Sequence, residues 1–140
     1  MSLSSDIAAA PKHITHHVFD ADGLKPPFSY TSGLAARPGR AYELSVTGLP
    51  GQWAHAVING VVDQLDADHL EPAEGLELDN VLRDGYLVRL RRAVDTSECT
   101  RAQLLAGPDV PVWQILVPDK WGFFPGDKHY SDDPDAQPLM

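Results

Sequence analysis

Apolar residues recur every three or four positions in residues 50–66, the strongest periodic pattern in the chain. This spacing predicts an amphipathic helix whose apolar stripe faces a sheet. Pro50 suits the first turn of such a helix, because its missing N–H would have no helical partner. We expect residues 50–65 to form the longest helix. Its stripe consists of Trp53, Val57, Val61 and Leu65.

Two strand-like runs rich in β-branched and aromatic residues precede this helix. They are FSYTSGL, residues 28–34, and AYELSVTGL, residues 41–49. Pro38 and Gly39 lie between them and occupy the two central places that a type II turn favours. Residues 28–47 are therefore predicted to form a hairpin that turns at Pro38-Gly39.

The second half of the chain alternates between short strands and one further helix. LELDNVL predicts a short strand, YLVRLRRAV a better one, and PVWQILVP a central strand covered on both faces. Asp95-Thr96-Ser97-Glu98 has the spacing of a capping box, so a helix is expected from Thr96 to a stop at Gly107.

These elements predict one α+β domain with a mostly antiparallel sheet of five or six strands and two helices. Its expected bounds are residues 12–130. Residues 1–11 are predicted to form a flexible arm, and residues 131–140 an acidic tail that frays. The aromatic residues between 121 and 130 are expected to pack as an ordered arm, because a disordered segment would be poor in aromatics.

Charge narrows the classes of partner. Eleven Lys and Arg against 20 Asp and Glu give a formal charge of -9, which repels the nucleic-acid backbone and anionic membrane surfaces. The basic cluster Arg89, Arg91 and Arg92 alternates with apolar residues, as the solvated face of a strand does. No run of about 18 apolar residues or signal peptide is visible, and Cys99 is the only cysteine. A cytoplasmic location is the default expectation.

Several motifs resemble an uncharacterised bacterial family, domain of unknown function 4262. They are an aromatic-Tyr-Thr-x-Gly-Leu run, a Glu-Leu pair that opens the next strand, and a late Gln, Asp-x-x-Gly and Pro. The resemblance covers about residues 14–130. Ser32 stands where family members usually carry an aliphatic residue, which argues against a shared serine nucleophile. The matching positions are Tyr30, Thr31, Gly33, Leu34, Glu43, Leu44, Gln114, Asp119, Gly122 and Pro125.

Glu43 and Gln114 are polar residues inside apolar strands. Such groups must find partners or carry a large desolvation cost. The simpler interpretation is a structural network that ties strands together. The functional interpretation is a small pocket in which Glu43 acts as a general base, while Tyr30, Thr31 or Gln114 orients a ligand.

Histidines supply the remaining candidate chemistry. His13, His16 and His17 have ligand-like spacing on a helix, but a strand would turn His16 away from the other two, and an exposed polar strand is favoured over a metal site. His55 and Asn59 lie on the predicted helix face opposite the apolar stripe and are candidate ligand-binding residues. Cys99 is expected in a first helical turn, and a packed, inert thiol is favoured over a reactive one.

Three functions remain open. The first is a small-molecule binding module with a pocket near Glu43 and a nucleotide-like or flavin-like anion as one possible ligand. The second is an acid–base enzyme, an isomerase or cyclase, that uses Glu43 with Tyr30 or a histidine. The third is a non-catalytic protein that dimerises through its aromatic C-terminal arm. The Gly48-Leu49-Pro50-Gly51 turn is expected to bend the chain rather than cradle a phosphate, since Pro50 removes a donor and no cation lies nearby in sequence. The sequence identifies no cofactor.

Overall fold

The computed structural model describes residues 13–37 and 40–140, which contain a six-stranded mixed sheet. The strand order is β1-β2-β3-β6-β5-β4, and every neighbouring pair is antiparallel except β3 with β6. The predicted α+β class, with a mostly antiparallel sheet and two helices, is confirmed. The elements are β1 (Ile14–Val18), β2 (Phe28–Ser32), β3 (Glu43–Thr47), α1 (Gly51–Ala67), β4 (Glu77–Leu78), β5 (Val88–Arg92), α2 (Thr100–Ala106), β6 (Val112–Leu116) and a 3₁₀ turn (Pro134–Ala136).

The antiparallel pair of β2 and β3 matches the predicted hairpin, with Tyr30 opposite Ser45. The predicted turn at Pro38-Gly39 and the predicted arm at residues 1–11 lie outside the described residues. β1 adds to the other side of β2 and places His16 opposite Tyr30. β6 occupies the centre of the sheet, as its apolar sequence predicted, between β3 and β5.

Helix α1 covers one face of the sheet with a continuous apolar surface. The prediction that Trp53 belongs to this surface is wrong, because 62% of Trp53 is exposed. Each residue advances about 100° around a helix, so an i, i+4 stripe drifts sideways with every step. The buried face centres on Ala54 and Val61, which leaves Trp53 about a quarter-turn away from it. The buried residues of α1 are Ala54, Val57, Ile58, Val61, Val62, Gln64 and Leu65.

Helix α2 packs on the opposite face, against Tyr30 and Val112. The capping-box prediction is wrong, because the Asp95 carboxylate accepts hydrogen bonds from the backbone N–H and hydroxyl of Ser97, which forms a local turn. The helix begins only at Thr100 and makes no side-chain capping bond at Cys99. The Tyr30 hydroxyl, from β2, accepts the backbone N–H of Arg101 at 3.1 Å instead. A residue distant in sequence therefore caps this helix.

The segment after β6 packs only in part. Phe124 is buried, and the Arg89 guanidinium lies 4.3 Å from its ring centroid. Arg89 also pairs with Glu77 at 2.9 Å and with Asp127 at 3.5 Å. Trp121, by contrast, is 67% exposed. The predicted aromatic arm is thus anchored at Phe124 and open to solvent at Trp121.

Candidate functional site

Glu43 begins β3, and the turn that follows β2 encloses its carboxylate. Only 1% of the residue is exposed. Oε1 accepts hydrogen bonds from the Thr31 hydroxyl at 2.6 Å and the Leu34 N–H at 3.2 Å, and Oε2 accepts the Ala35 N–H at 2.8 Å. Thr31 Oγ1 also accepts the Leu44 N–H at 2.9 Å. These bonds tie the end of β2 to the start of β3.

The electrostatics of Glu43 reflect this enclosure. Burial raises the pKa of Glu43, although the hydrogen bonds from Thr31 and the 33–35 backbone act in the opposite direction. A raised carboxyl pKa suits a general base. Glu43, however, lines neither the cleft beside Trp53, described below, nor the cleft beside Phe28. Tyr30, its tentative partner, is 3% exposed and directs its hydroxyl to α2. The two side chains bond to different elements.

Gln114, the candidate for orienting a ligand, has no exposed surface. Its Nε2 donates to the Pro138 carbonyl at 2.8 Å and to Thr47 Oγ1 at 3.2 Å, and its Oε1 accepts the Met140 N–H at 2.9 Å. Arg91 Nη1 also donates to Oε1 at 3.1 Å. Groups of the protein itself therefore engage both the oxygen and the nitrogen of this amide.

His13, Asn59 and His55 form a short chain of hydrogen bonds between β1 and α1. His13 Nε2 lies 3.0 Å from Asn59 Oδ1, and Asn59 Nδ2 lies 3.0 Å from His55 Nε2. Burial lowers the pKa of His13, and the hydrogen bond to Asn59 partly offsets that effect. The Asn59 amide thus joins the two imidazole rings, with its oxygen towards His13 and its nitrogen towards His55.

The two histidines of β1, His16 and His17, bond to serines of β2. His17 Nδ1 lies 2.8 Å from Ser29 Oγ, and His16 Nε2 lies 2.7 Å from Ser32 Oγ. His17 contacts the start of α1 at Gly51, whereas His16 packs against Tyr30 on the opposite face. Within the described residues, no three His, Cys, Asp or Glu side chains come together as a metal site would require. The predicted strand geometry separates these histidines.

Cys99 is fully buried, and burial raises the pKa of its thiol to about 12. Nearby carboxylates, Glu98 first among them, act in the same direction. A thiol with this pKa is not a nucleophile at neutral pH. In place of a first-turn position, Cys99 precedes the helix as its N-cap residue.

Gly48 has two structural roles: it allows the chain to bend after β3, and it allows a second segment to approach the turn closely. Gly48 adopts φ +80°, a backbone conformation that other residues rarely accept, and its N–H donates to the Pro27 carbonyl at 2.7 Å. A Cβ atom built there would lie 2.0 Å from the Ala136 carbonyl oxygen. Leu49 packs against the core beneath α1. The turn thus bends the chain and admits a second segment, while its first N–H is already bonded.

A cleft of about 720 Å³ opens beside the first turns of α1. Its walls are α1, the loop at residues 81–86 and the loop at residues 118–120. Gly60 lets the first loop approach the helix, because a Cβ there would lie 3.0 Å from Val81 Cγ1. The lining residues are Trp53, Ala56, Val57, Val81, Leu82, Arg83, Asp84, Tyr86, Pro118, Asp119 and Lys120.

Two cations and two aromatic rings give this cleft its chemistry. Within the described part of the chain, neither Arg83 nor Lys120 belongs to an ion pair. The Tyr86 hydroxyl donates to the Lys120 carbonyl at 2.6 Å and so ties the two loops together. Trp53 stands at the rim with most of its surface exposed. The cleft offers flat apolar surface beside two cations and two carboxylates, those of Asp84 and Asp119.

Asp119 lines the same cleft, but its own loop engages its carboxylate. Oδ1 accepts the N–H groups of Trp121 and Phe123, each at 2.9 Å. Oδ2 accepts the Ser131 N–H at 2.7 Å and its hydroxyl at 2.9 Å. Burial opposes the charged form, yet these bonds prevail and lower the pKa of Asp119 to about 2. Asp119 therefore organises the 119–131 loop.

Sequence reasoning missed the residues of this cleft. It assigned Trp53 to the core, and it gave Arg83 and Lys120 no functional role. The signal present in the sequence is weak: a Trp at the margin of the helical stripe, and a Lys-Trp pair in a glycine-containing loop. Periodicity cannot show that two loops separated by more than thirty residues meet at one helix end.

Comparison with known families gives one match. A family model described as "Domain of unknown function (DUF4262)" matches residues 8–131. The match includes the whole sheet, both helices and the cleft, and it confirms the resemblance found in the sequence motifs. Curated proteins and solved structures give no significant match.

Proposed function

The chain belongs to the DUF4262 family, and we propose that this protein binds a small planar anion in the cleft beside Trp53. The observation that carries the proposal is the placement of an exposed Trp53 next to Arg83 and Lys120. An exposed indole can stack on a ring, and the two cations can hold an anionic group attached to that ring.

Size supports the proposal. Ligand pockets in proteins have volumes of roughly 300–1,000 Å³, and the volume of this cleft, about 720 Å³, lies within that range. Such pockets combine apolar walls with a few polar groups that fix orientation. Here the apolar wall comes from α1, and the cations come from the loops.

Charge supports an anionic ligand. Two carboxylates, Asp84 and Asp119, line the cleft. Asp119 already accepts four hydrogen bonds from its own loop. Within the described residues neither Arg83 nor Lys120 belongs to an ion pair, and the Lys120 ammonium lies 5.4 Å from the centroid of the Trp121 ring. In a protein of formal charge -9, a site with two available cations selects a small anion more readily than an extended polyanion.

Acid–base catalysis at Glu43 has less support. A substrate would have to reach a carboxylate that is 1% exposed and already bonded to Thr31, Leu34 and Ala35. The proposal therefore moves the binding pocket away from Glu43 to the Trp53 cleft. A cytoplasmic location is part of the proposal, because a single unpaired cysteine suits a reducing compartment. No helix within the described residues has the length and apolar character to cross a membrane.

The test is a titration with FMN and with riboflavin, which has the same ring system without the phosphate. We expect FMN to bind saturably at micromolar concentration and riboflavin to bind at least about tenfold more weakly, because a charge-assisted hydrogen bond contributes about 1.5–3 kcal/mol. Trp53→Ala should weaken both ligands, and Arg83→Ala should weaken FMN alone.

Phe19→Ala is the control, since Phe19 is an aromatic residue as exposed as Trp53 that lies outside the cleft lining. Its affinity for FMN should equal that of the wild type. Binding of FMN and riboflavin with equal affinity, or an unchanged affinity in Trp53→Ala, would contradict the proposed site.

A further inference from the structure

Residues 137–140, here called the strap, cross the sheet on the face opposite α1. Gln114 bonds to the main chain on both sides of Leu139. Its Nε2 donates to the Pro138 carbonyl at 2.8 Å, and its Oε1 accepts the Met140 N–H at 2.9 Å. A side-chain amide used in this way recognises an extended backbone and not a particular side chain.

Further groups of the sheet bond to the same backbone. The Thr47 hydroxyl donates to the Pro138 carbonyl at 2.7 Å. Arg91 and the Val94 N–H both donate to the Met140 main-chain oxygen. Arg91, which the sequence placed on a solvated face, is half-buried by these contacts. Four protein groups thus hold three main-chain groups of the strap: the Pro138 carbonyl, the Met140 N–H and the Met140 oxygen.

Gln137 fixes the beginning of the strap. Its Oε1 accepts the Val117 N–H at 2.7 Å, and its Nε2 donates to the Val117 carbonyl at 2.9 Å. Gln137 is buried, so the strap is docked where the sequence predicted a fraying tail. Leu139 remains 49% exposed. Hydrogen bonds hold the strap, together with the packing of a partly buried Met140 against the apolar cluster that contains Tyr30 and Val112.

The sheet supplies the groove beneath the strap independently of the strap itself. Its members lie on β3, β5 and β6 or directly after them, and the Gly48 turn completes one end. Any side chain at Gly48 would meet the Ala136 carbonyl, as the 2.0 Å distance shows. Glycine at this place makes room for an incoming backbone. The groove residues are Thr47, Gly48, Arg91, Gln114 and Val117.

We propose that the strap is exchangeable and that the groove of one copy binds the strap of a second copy. Contacts to backbone are the same whether the segment comes from the same chain or from another, and this is the condition for segment exchange. Residues 131–136, which connect the strap to the rest of the fold, are all exposed and can be redirected without uncovering a core. The resulting dimer differs from one formed by the aromatic arm, and it does not depend on the Trp53 cleft.

The test uses the full chain and a fluorescein-labelled peptide of residues 131–140. Gln137→Ala weakens the internal strap but leaves Val117 and the rest of the groove intact. We expect this variant to bind the peptide at least tenfold more tightly than the wild type. Gly48→Ala should not bind it, because the new Cβ blocks the groove. If Gly48→Ala does not fold, Thr47→Val replaces it and should weaken peptide binding in the Gln137→Ala background.

The second arm measures mass in solution. An equimolar mixture of Gln137→Ala and Gly48→Ala should form a one-to-one heterodimer, because the first has a groove that its own strap holds weakly and the second an intact strap that its own groove rejects. If all folded variants bind the peptide with equal affinity, the peptide does not bind in the proposed groove. If the peptide binds but no dimer forms, either in the mixture or in the concentrated wild type, then the partner of the groove is not a second copy of this chain.

Discussion

Glu43→Ala is expected to lower the free energy of unfolding by about 2–4 kcal/mol. The substitution leaves the Thr31 hydroxyl and the N–H groups of Leu34 and Ala35 without their acceptor inside the fold. A buried donor without a partner costs roughly 1–3 kcal/mol, and three such donors in one place are not fully additive. Chemical denaturation of the purified variant measures the effect.

Glu71→Ala is the control, because Glu71 is exposed. It should change the free energy of unfolding by less than about 0.5 kcal/mol. If Glu43→Ala is as stable as Glu71→Ala, the 33–35 turn does not depend on the carboxylate and our account of Glu43 as a structural tie is wrong.

The same carboxylate has a predicted pH signature. Because burial raises the pKa of Glu43 above its usual 4.5, the folded protein holds the proton more tightly than the unfolded chain does. The associated stability is present below pH 4.5 and is lost as the pH rises through the raised folded pKa. The stability of the wild type relative to Glu43→Gln should therefore fall as the pH rises from about 4.5 towards neutrality. A relative stability that rises over this window would contradict the enclosed carboxylate.

Gly48→Ala is expected to have the second large effect. The substitution forces alanine into φ +80° and places its Cβ 2.0 Å from the Ala136 carbonyl, which is backbone and cannot rotate away. We expect a loss of about 1–2 kcal/mol from the dihedral alone and about 1–3 kcal/mol more from the displacement. Thermal and chemical unfolding measure the sum, and NMR should show the amides of Gln137, Leu139 and Met140 shifted.

Gly23→Ala separates the two contributions. Gly23 has a similar φ of +68°, but a Cβ there meets nothing within 4 Å. It should therefore show only the dihedral cost. Equal destabilisation in the two variants would mean that residues 134–140 can be displaced at no cost. Gly48 would then be required only for the backbone conformation of the turn.

The sequence revealed those parts of the fold that depend on side chains close together in the chain. The spacing of apolar residues between Val57 and Leu65 predicted α1, and the strand-like pattern in residues 28–47 predicted the β2–β3 pair. Both patterns depend only on which nearby side chains lie on the same face of a helix or strand. Glu43 stood out as a carboxylate in an apolar run, and desolvation cost was enough to predict partners for it.

Other features depend on contacts that local patterns do not encode. The start of α2 was misplaced because a tyrosine of β2 caps it, whereas Asp95 forms its own turn. The sequence could not predict that residues 137–140 dock on the sheet, because the bonds from Gln114 reach main-chain groups of this segment. Every residue has such groups, so residue types do not reveal the contact. Trp53 was assigned to the core because the i, i+4 pattern ignores the drift of a straight helix relative to a flat surface.

The most direct test of the proposed function is an amide NMR map of the wild type during titration with FMN. Our account predicts saturable shifts at micromolar ligand in the Trp53 indole N–H and in the amides of residues 81–86, Asp119 and Lys120, which surround the cleft. Shifts centred on residues 31–35 and Glu43, or on residues 48–51, would place the ligand elsewhere, and the absence of saturable shifts at millimolar FMN would contradict the planar-anion site.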